Sequence, residues 1–298
     1  MKRLIPAKTF LVGEYAAVLG GPAIVLTTTP CFEVTLVDGN HYEGIHPDSP
    51  AGEWWASHRI PDKSLIWRDP YEGKGGLGAS SAQFLGTYLA ICHLLHIKPS
   101  HEVLLDAYYQ SSWRGDGLRP SAYDLLAQTQ HRCVYVNRQL GIIESYEWVF
   151  DDIAFLLVHS GQKLMTHYHL KRISLPDSMD ELSIVAESAR KAFLDGCSEQ
   201  LIAAVDSYQA HLTARGLVAL NSLEYLQALK LKKHVLTAKG CGAMGADVLL
   251  LIVEKNALAD VSQNLVIDGW TVLASSQDLY TGSKLLQNNA EKILEILP

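Results

Sequence analysis

Hydrophobic and polar positions along the first quarter of the chain predict a set of short strands. Apolar runs rich in β-branched and aromatic residues predict strands over residues 5–12, 23–26, 32–37 and 65–67. Pro6 confines the start of the first strand to a sheet edge, because proline has no N–H to donate to a neighbouring strand. The polar, proline-containing stretch at residues 38–63 predicts hairpins or loops.

The remaining chain predicts helices first and then a mixed pattern. A long apolar run over residues 83–97 predicts a buried helix. Ser100 predicts the cap of a second helix, and Ser121 begins a third that ends near residue 130. Because the pattern changes after residue 160, we expect a domain boundary near residues 150–160. The other predicted elements are strands at 134–136, 153–159, 248–253 and 270–274, and helices at 180–196, 198–215, 218–230, 256–265 and 284–296.

Composition and charge narrow the class of protein. The chain has 298 residues, 48% of them hydrophobic, and a net charge of −7, which suits one or two globular domains with a substantial core. The acidic balance, without any block of lysine and arginine, argues against a nucleic-acid partner. Five scattered cysteines without a Cys-x-x-Cys pair predict neither a disulfide framework nor a zinc site, and a reducing cytoplasm is the expected location.

No membrane segment is expected. The N-terminal apolar run is interrupted by Lys8, Gly13 and Glu14, so it does not predict a signal peptide. The apolar run over residues 248–253 is far too short to cross a bilayer. We therefore expect a soluble protein that acts on a small molecule.

The glycine-rich stretch over residues 72–82, EGKGGLGASSA, is the strongest local signal for chemistry. A glycine-rich turn that feeds a helix start exposes backbone N–H groups beside the positive end of the helix dipole, which favours a bound phosphate. Ser80 and Ser81 lie in the first helical turn, where a hydroxyl can cap the helix or hold a metal ion bound to that phosphate. A plain turn is an equally good reading of this stretch taken alone.

Two familiar nucleotide-binding motifs do not fit this stretch. The spacing of Gly73, Gly75 and Gly78 matches the dinucleotide fingerprint, but no tight strand precedes it and no acid follows about 20 residues on. A P-loop requires serine or threonine directly after the Gly-Lys pair, whereas Lys74 is followed by Gly75.

Four motifs in order carry a family resemblance. Residues 6–16 read PAKTFLVGEYA, residues 76–82 read GLGASSA, residues 120–124 read PSAYD and residues 239–247 read KGCGAMGAD. Together they resemble the motifs of the GHMP small-molecule kinases, most closely those of the mevalonate and phosphomevalonate kinase branch. The PSAYD stretch is similar to the Pro-Ser-Gly-x-Asp segment of that branch. The resemblance runs from the first strand to about residue 253.

The resemblance implies an α+β fold in two parts. A ribosomal protein S5 domain 2-like domain over residues 1–155 would carry the ATP site. A ferredoxin-like domain over residues 156–298 would close over it, with the active site between the two. Family relatives are often dimers, so a homodimer is an open option.

The resemblance also implies roles for individual residues. Asp124 would act as base or orienting group beside the acceptor hydroxyl, and Lys8 would pair with it and stabilise charge on the transferring phosphoryl group. Ser80 would meet Mg²⁺. The residues implied to hold ATP are Lys74, Gly75, Gly76, Leu77, Gly78, Ala79, Ser80 and Ser81. The residues implied to shape the substrate side are Glu14, Tyr15, Ser121, Lys163, Gly242 and Ala243.

Without the resemblance, several of these residues have simpler interpretations. Ser121 and Asp124 are spaced almost as a capping box, so Asp124 is equally well a helix-start acid. A lone Lys8 is typical of a solvated strand lysine. The chain also departs from the family, since Met244 and Ala246 interrupt a third motif that is usually nearly unbroken glycine. Asp116 is the nearest candidate for a second Mg²⁺ ligand.

The implied activity is ATP-dependent phosphorylation of mevalonate or 5-phosphomevalonate. Glu14-Tyr15 and Asp247 tilt slightly toward phosphomevalonate kinases. Two alternatives stay open. One is a family enzyme with another acceptor, such as homoserine or a sugar, or an enzyme of the decarboxylase branch. The other is a non-catalytic nucleotide-binding homologue.

Overall fold

The computed structural model describes residues 1–39, 43–58, 60–161 and 179–286, which form two antiparallel sheets with helices packed on them. In the first sheet the strand order is β1-β2-β4-β5, and β3 also pairs with β2. In the second sheet the order is β7-β8-β6-β9. The strands are β1 Lys2–Val12, β2 Ala23–Asp38, β3 Lys63–Arg68, β4 Cys133–Asn137, β5 Ile142–Tyr146, β6 Ile153–His159, β7 Val235–Cys241, β8 Val248–Glu254 and β9 Thr271–Ser275.

The helices follow the predicted pattern closely. The helix predicted from residue 83 begins earlier, because Gly78 adopts a left-handed conformation (φ 80°) and acts as its N-cap. The side chain of Ser100 accepts a hydrogen bond from the N–H of Val103, which confirms its predicted cap. The helices are α1 Pro50–His58, α2 Ala79–Leu94, α3 His101–Ser112, α4 Tyr123–Gln128, α5 Asp180–Asp195, α6 Ser198–Ala214, α7 Leu220–Lys230 and α8 Leu258–Ile267.

Strand β1 lies at the edge of the first sheet, as Pro6 predicts. Its pairing with β2 shifts register between Ile5 and Ala7, where Pro6 lies opposite the extra residues 29–31 of a bulge in β2. A bulge at this point accommodates a residue that has no N–H for the ladder. The strand can therefore continue through Pro6 to Val12.

Helix α2 is buried along most of its length, in keeping with its apolar sequence. It packs closely on β2, and a Cβ on Gly86 would lie 2.4 Å from Cγ2 of Val34. One continuous core cluster contains residues of both sheets and of the helices, such as Phe155 from β6 and Phe84 from α2. The predicted division between residues 155 and 156, both within β6, stays a prediction.

The prediction of hairpins or loops over residues 38–63 is wrong for residues 50–58, which form α1. Pro50 takes the first helical position, where its missing N–H costs nothing. Ser49 precedes it, and its side chain accepts from the N–H of Gly52 at 3.1 Å. The Ser-Pro pair is a helix-start signal that the proline content obscured. The side chain of Trp55, on the inner face of this helix, is buried.

Several strand predictions also require correction. Residues 23–38 form one long strand rather than two, and both β5 and β7 lie where no strand was predicted. Residues 284–286 are not helical, and residues 287–298 of the predicted final helix lie outside the described residues. Within the described ranges, none of the helices has the length and apolarity needed to span a bilayer.

Candidate active site

The glycine-rich stretch forms a loop that runs from β3 to the start of α2. Gly73, Gly76 and Gly78 all have φ near +80°, a left-handed conformation that glycine adopts without a steric penalty. Within the described part of the chain, the N–H groups of Gly75 and Gly76 face no acceptor. The loop therefore presents free donors next to the N-terminus of a 16-residue helix.

The two serines of the first turn of α2 have different environments. The hydroxyl of Ser81 is buried and donates to the carbonyl of Gly78 at 3.0 Å, so it is engaged within the helix start. Ser80 is exposed, and among the described residues its hydroxyl has no hydrogen-bond partner. Ser80 is therefore the more accessible of the two, and its role as a Mg²⁺ ligand stays a prediction.

Lys8 and Asp124 form an ion pair at the mouth of this loop. The Nζ atom of Lys8 lies 3.0 Å from Oδ2 of Asp124, and the side chains are 8% and 36% exposed. The backbone N–H of Lys8 donates to the carbonyl of Leu77 at 3.0 Å, which joins β1 to the loop. Lys8 is thus not the solvated strand lysine of the simpler interpretation, although the catalytic roles of both residues stay predictions.

Gly78 and Gly73 offer a matched pair of variants, because both have φ +80° and only Gly78 is crowded. A Cβ on Gly78 would lie 2.7 Å from Cγ of Lys8, whereas a Cβ on Gly73 would meet nothing within 4 Å. We expect Gly73→Ala to cost about 1 kcal/mol of unfolding free energy from backbone strain. We expect Gly78→Ala to cost at least about 1 kcal/mol more, since overpacking adds to that strain. Urea unfolding of both variants measures the difference, and equal midpoints would contradict it.

The third motif approaches the glycine loop from the second sheet. A Cβ on Gly76 would lie 2.8 Å from Cβ of Asp247, and one on Gly242 would lie 3.1 Å from Oδ2 of the same aspartate. Asp247 is buried between them. The N–H of Ser160, just after β6, donates to the carbonyl of Asp247 at 3.2 Å. The glycine loop, the third motif and the end of β6 therefore meet at one place.

The pKa of His159, at the end of β6, is affected by the charges at this place. Burial and the nearby charge of Lys74 lower the pKa of His159, while Asp247 opposes them. Its Nδ1 accepts from the N–H of Gly161 at 3.1 Å, so we assign the neutral tautomer with a proton on Nε2. The imidazole of His159 at the end of β6 is thus uncharged, with the ammonium of Lys74 and the carboxylate of Asp247 nearby.

Glu14 and Tyr15 reach the third motif from the other side. Glu14 forms a buried ion pair with Nζ of Lys239, and the side chains are 8% and 0% exposed. The phenol of Tyr15 accepts from the N–H of Met244 at 3.2 Å, and burial raises the pKa of Tyr15 to about 12. Met244 itself has φ 55°, a conformation in which a side chain is strained and glycine is not. Glu14 and Tyr15, two of the predicted substrate-side residues, therefore both contact the third motif.

The remaining predicted residues have mixed outcomes. Ser121 accepts from the N–H of Tyr123 at 3.4 Å just before α4, whose N-cap is Ala122 and has no side-chain cap bond. Nζ of Lys74 lies 3.6 Å from Oε2 of Glu72 within its own loop. Lys163 lies outside the described residues. Ala243 belongs to a short 3-10 turn over residues 243–245.

Metal ligands form no dense cluster here. Asp116 is exposed in the loop before α4, where its carbonyl accepts from Nε1 of Trp113 at 3.2 Å. Across the described ranges, no three His, Cys, Asp or Glu residues come together as a metal site. Of Asp116 and Asp247, Asp247 is the one that lies against the glycine loop.

Two residues of the site were missed by sequence reasoning. Lys239 is the buried partner of Glu14, and Gln128 donates to the carbonyls of Pro6 and Gly78. Gln128 follows Asp124 by one helical turn, so the helical period could have placed both on one face. Lys239 is the first residue of the third motif, but no local signal indicates its pairing with Glu14.

Comparison with known proteins finds similarity at the level of structure. No protein-family model matches the chain, and neither does any curated protein sequence. The phosphomevalonate kinase of Streptococcus pneumoniae, solved with phosphomevalonate and AMPPNP, matches with a TM-score of 0.74 and 17% identity over 92% of this chain and 99% of that one. The mevalonate kinase of Methanococcus jannaschii matches with a TM-score of 0.71 and 13% identity, covering 92% and 97% of the two chains.

A sugar kinase matches equally well. The galactokinase of Lactococcus lactis, solved with galactose, has a TM-score of 0.71 and 10% identity, covering 91% of this chain and 92% of that one. At such identities the similarity concerns the fold, and the acceptor differs among the matched enzymes. The chain has the fold of the GHMP small-molecule kinases, as its four motifs predict.

Proposed function

We propose that this protein is an ATP-dependent kinase of the GHMP type that phosphorylates mevalonate or 5-phosphomevalonate. The observation that carries the proposal is the Lys8–Asp124 ion pair of 3.0 Å beside the glycine loop. Phosphoryl transfer depends on positioning and on charge stabilisation more than on covalent chemistry by the protein. A cation and a carboxylate next to a set of free N–H donors meet that requirement.

The residues at the loop suit a nucleotide with its metal ion. The free N–H groups of Gly75 and Gly76 would bind phosphate oxygens, and the exposed hydroxyl of Ser80 would face Mg²⁺. When bound, Mg²⁺·ATP supplies the transferable phosphoryl group and neutralises part of its charge. Asp247, buried against Gly76, is our candidate for a second protein ligand of the ion, beside Ser80.

The roles of the ion pair follow from its two partners. Asp124 would orient the acceptor hydroxyl and accept its proton. Lys8 would keep Asp124 in place and stabilise the negative charge that spreads over the equatorial oxygens of the transferring group. Because Lys8 is nearly buried, its interaction with such charge is stronger than it would be in water.

We infer 5-phosphomevalonate as the preferred acceptor. The inference rests on Tyr15 after Glu14 and on Asp247 in the third motif. We also infer that the first sheet belongs to an S5-like domain and the second to a ferredoxin-like one. The order β7-β8-β6-β9, with helices after β6 and β8, supports the second assignment. A cytoplasmic location and a homodimer remain expectations.

A coupled assay of ADP release tests the proposal. The acceptors are mevalonate, 5-phosphomevalonate, diphosphomevalonate, homoserine and galactose, each with Mg²⁺·ATP. We expect the highest kcat/KM with 5-phosphomevalonate. Turnover of only homoserine, galactose or diphosphomevalonate would replace the proposal with another branch of the same fold.

The non-catalytic alternative has one observation in its favour. Met244 holds a left-handed conformation in the third motif, where the family usually has glycine, so a side chain is present where glycine would leave the backbone bare. ATP binding with no turnover of any acceptor would support this alternative. Calorimetric titration of ATP beside the coupled assay separates the two cases.

A further inference from the structure

Gln128 is a buried glutamine at the end of α4 whose amide joins two parts of the candidate site. Its Nε2 donates to the carbonyl of Pro6 in β1 at 2.9 Å and to the carbonyl of Gly78 at 3.0 Å. The residue is 0% exposed. Asp124 lies one turn earlier on the same face of α4 and contacts Lys8 of β1. One helical face thus contacts β1 twice and the glycine loop once.

The bond to Pro6 reaches β1 where its pairing with β2 is irregular. Ile5 pairs with Phe32 and Ala7 with Thr28, so Pro6 lies opposite residues 29–31 of β2 and has no Cα partner in the register. A buried carbonyl without a donor is costly. Gln128 supplies the donor from outside the sheet and so ties α4 to the bulge.

The bond to Gly78 has a different consequence. The carbonyl of Gly78 already accepts from the N–H of Ala82 at 2.9 Å and from the hydroxyl of Ser81 at 3.0 Å. This carbonyl would therefore remain paired without Gln128. What the third bond adds is a second link between the loop and β1, beside the bond from the N–H of Lys8 to the carbonyl of Leu77, because the same nitrogen also donates to Pro6.

The link is tight and comes from the donor side of the amide alone. A Cβ on Gly78 would lie 2.9 Å from Nε2 of Gln128, so the loop lies directly against the side chain. Among the described residues, no donor reaches Oε1 of Gln128. A substitution that keeps the volume and removes the two N–H groups therefore isolates the interaction.

We propose that Gln128 is a positioning residue for phosphoryl transfer. Its NH₂ group fixes the glycine loop relative to β1, so that a phosphate held by the loop faces Lys8 and Asp124. The inference rests on the proposed kinase function. It assigns Gln128 no contact with either substrate.

The first test is Gln128→Met, which keeps an unbranched side chain of similar size. We expect kcat to fall about 10-fold to 100-fold, since a displacement near 1 Å costs up to about 100-fold in rate. The affinity for ATP, measured by calorimetry, should stay near the wild-type value, because the loop N–H groups remain. A kcat equal to that of the wild type would overturn the inference.

Asn137→Leu provides the matched control for a lost buried amide. Asn137 is buried at the end of β4, where Nδ2 donates to the phenol of Tyr135 at 3.3 Å. It has no contact with the glycine loop. We expect this variant to lose stability while keeping kcat. If both variants lost kcat in proportion to their loss of thermal stability, the role of Gln128 would be structural only.

The second test is Gln128→Glu with a pH profile. A buried glutamate between two carbonyls has a raised pKa, and only its protonated form can donate a hydrogen bond. We expect the ratio of variant to wild-type kcat to rise as the pH falls, because donation returns on protonation. The ratio removes any pH dependence that the two enzymes share. A ratio that does not change with pH would contradict the proposed donation.

Hydrogen exchange separates failure of this inference from failure of the kinase proposal. If the wild type turns over none of the acceptors, the kinase proposal fails, and the link can still be measured without turnover. We expect Gln128→Met to speed amide exchange in peptides covering β1 and the glycine loop, but not in peptides covering β4. Unchanged exchange in both regions would overturn the link itself.

Discussion

Asp124→Asn is expected to lower kcat by at least about 100-fold while leaving ATP affinity near the wild-type value. The asparagine keeps the size of the side chain, but it can neither accept a proton from the acceptor hydroxyl nor carry charge beside Lys8. ATP binding should persist because Asp124 contacts Lys8 and not the glycine loop. The coupled assay measures kcat, and calorimetry measures the affinity for ATP.

Asp116→Asn is the control for this variant. Asp116 is an exposed acid in the loop before α4, so its replacement removes the same charge from the same region. We expect it to keep kcat close to that of the wild type. Full activity in Asp124→Asn would remove Asp124 from the mechanism, and a large loss in Asp116→Asn would reopen its candidacy as a Mg²⁺ ligand.

Lys239→Met is expected to destabilise the protein by about 3–5 kcal/mol, the usual cost of leaving one charge of a buried pair uncompensated. Lys239 is fully buried, and its partner Glu14 is 8% exposed. Lys239 bonds Oε1 of Glu14, and Oε2 has no hydrogen-bond partner among the described residues. Without the ammonium, the carboxylate must either stay charged in a dry environment or take up a proton. Urea unfolding at pH 7 measures the loss.

The double variant Glu14→Gln with Lys239→Met checks the cause. Because neither residue is then charged, we expect it to be more stable than Lys239→Met alone. Lys63→Met serves as the exposed comparison, since Lys63 pairs with Asp38 at the surface and its loss should barely shift the unfolding midpoint. A double variant no more stable than the single one would contradict an electrostatic origin.

The sequence predicted those parts of the site that depend on local backbone chemistry. Glycines that require a left-handed conformation, such as Gly78, and caps such as Ser100 act within a few residues of themselves. Such residues can therefore be recognised from the local sequence alone. The four motifs add their order, and the fold they imply agrees with the matched structures.

Contacts between distant elements could not be predicted in the same way. Glu14 and Lys239 are 225 residues apart in the chain, and Pro6 and Gln128 are 122 apart. Nothing in the sequence near Lys239 or Gln128 indicates its partner, because the pairing depends on how the sheets and α4 come together. β7 was not predicted because it contains Gly240 and because its last residues, 239–241, already belong to the glycine-containing third motif.

The most direct test of the central claim is a crystal structure of the protein with AMPPNP, Mg²⁺ and 5-phosphomevalonate. We predict the phosphates at the N–H groups of Gly75 and Gly76, with the γ-phosphate next to Nζ of Lys8. The acceptor hydroxyl should lie within hydrogen-bond distance of the Asp124 carboxylate. A nucleotide bound away from the glycine loop, or an acceptor remote from Asp124, would contradict the account.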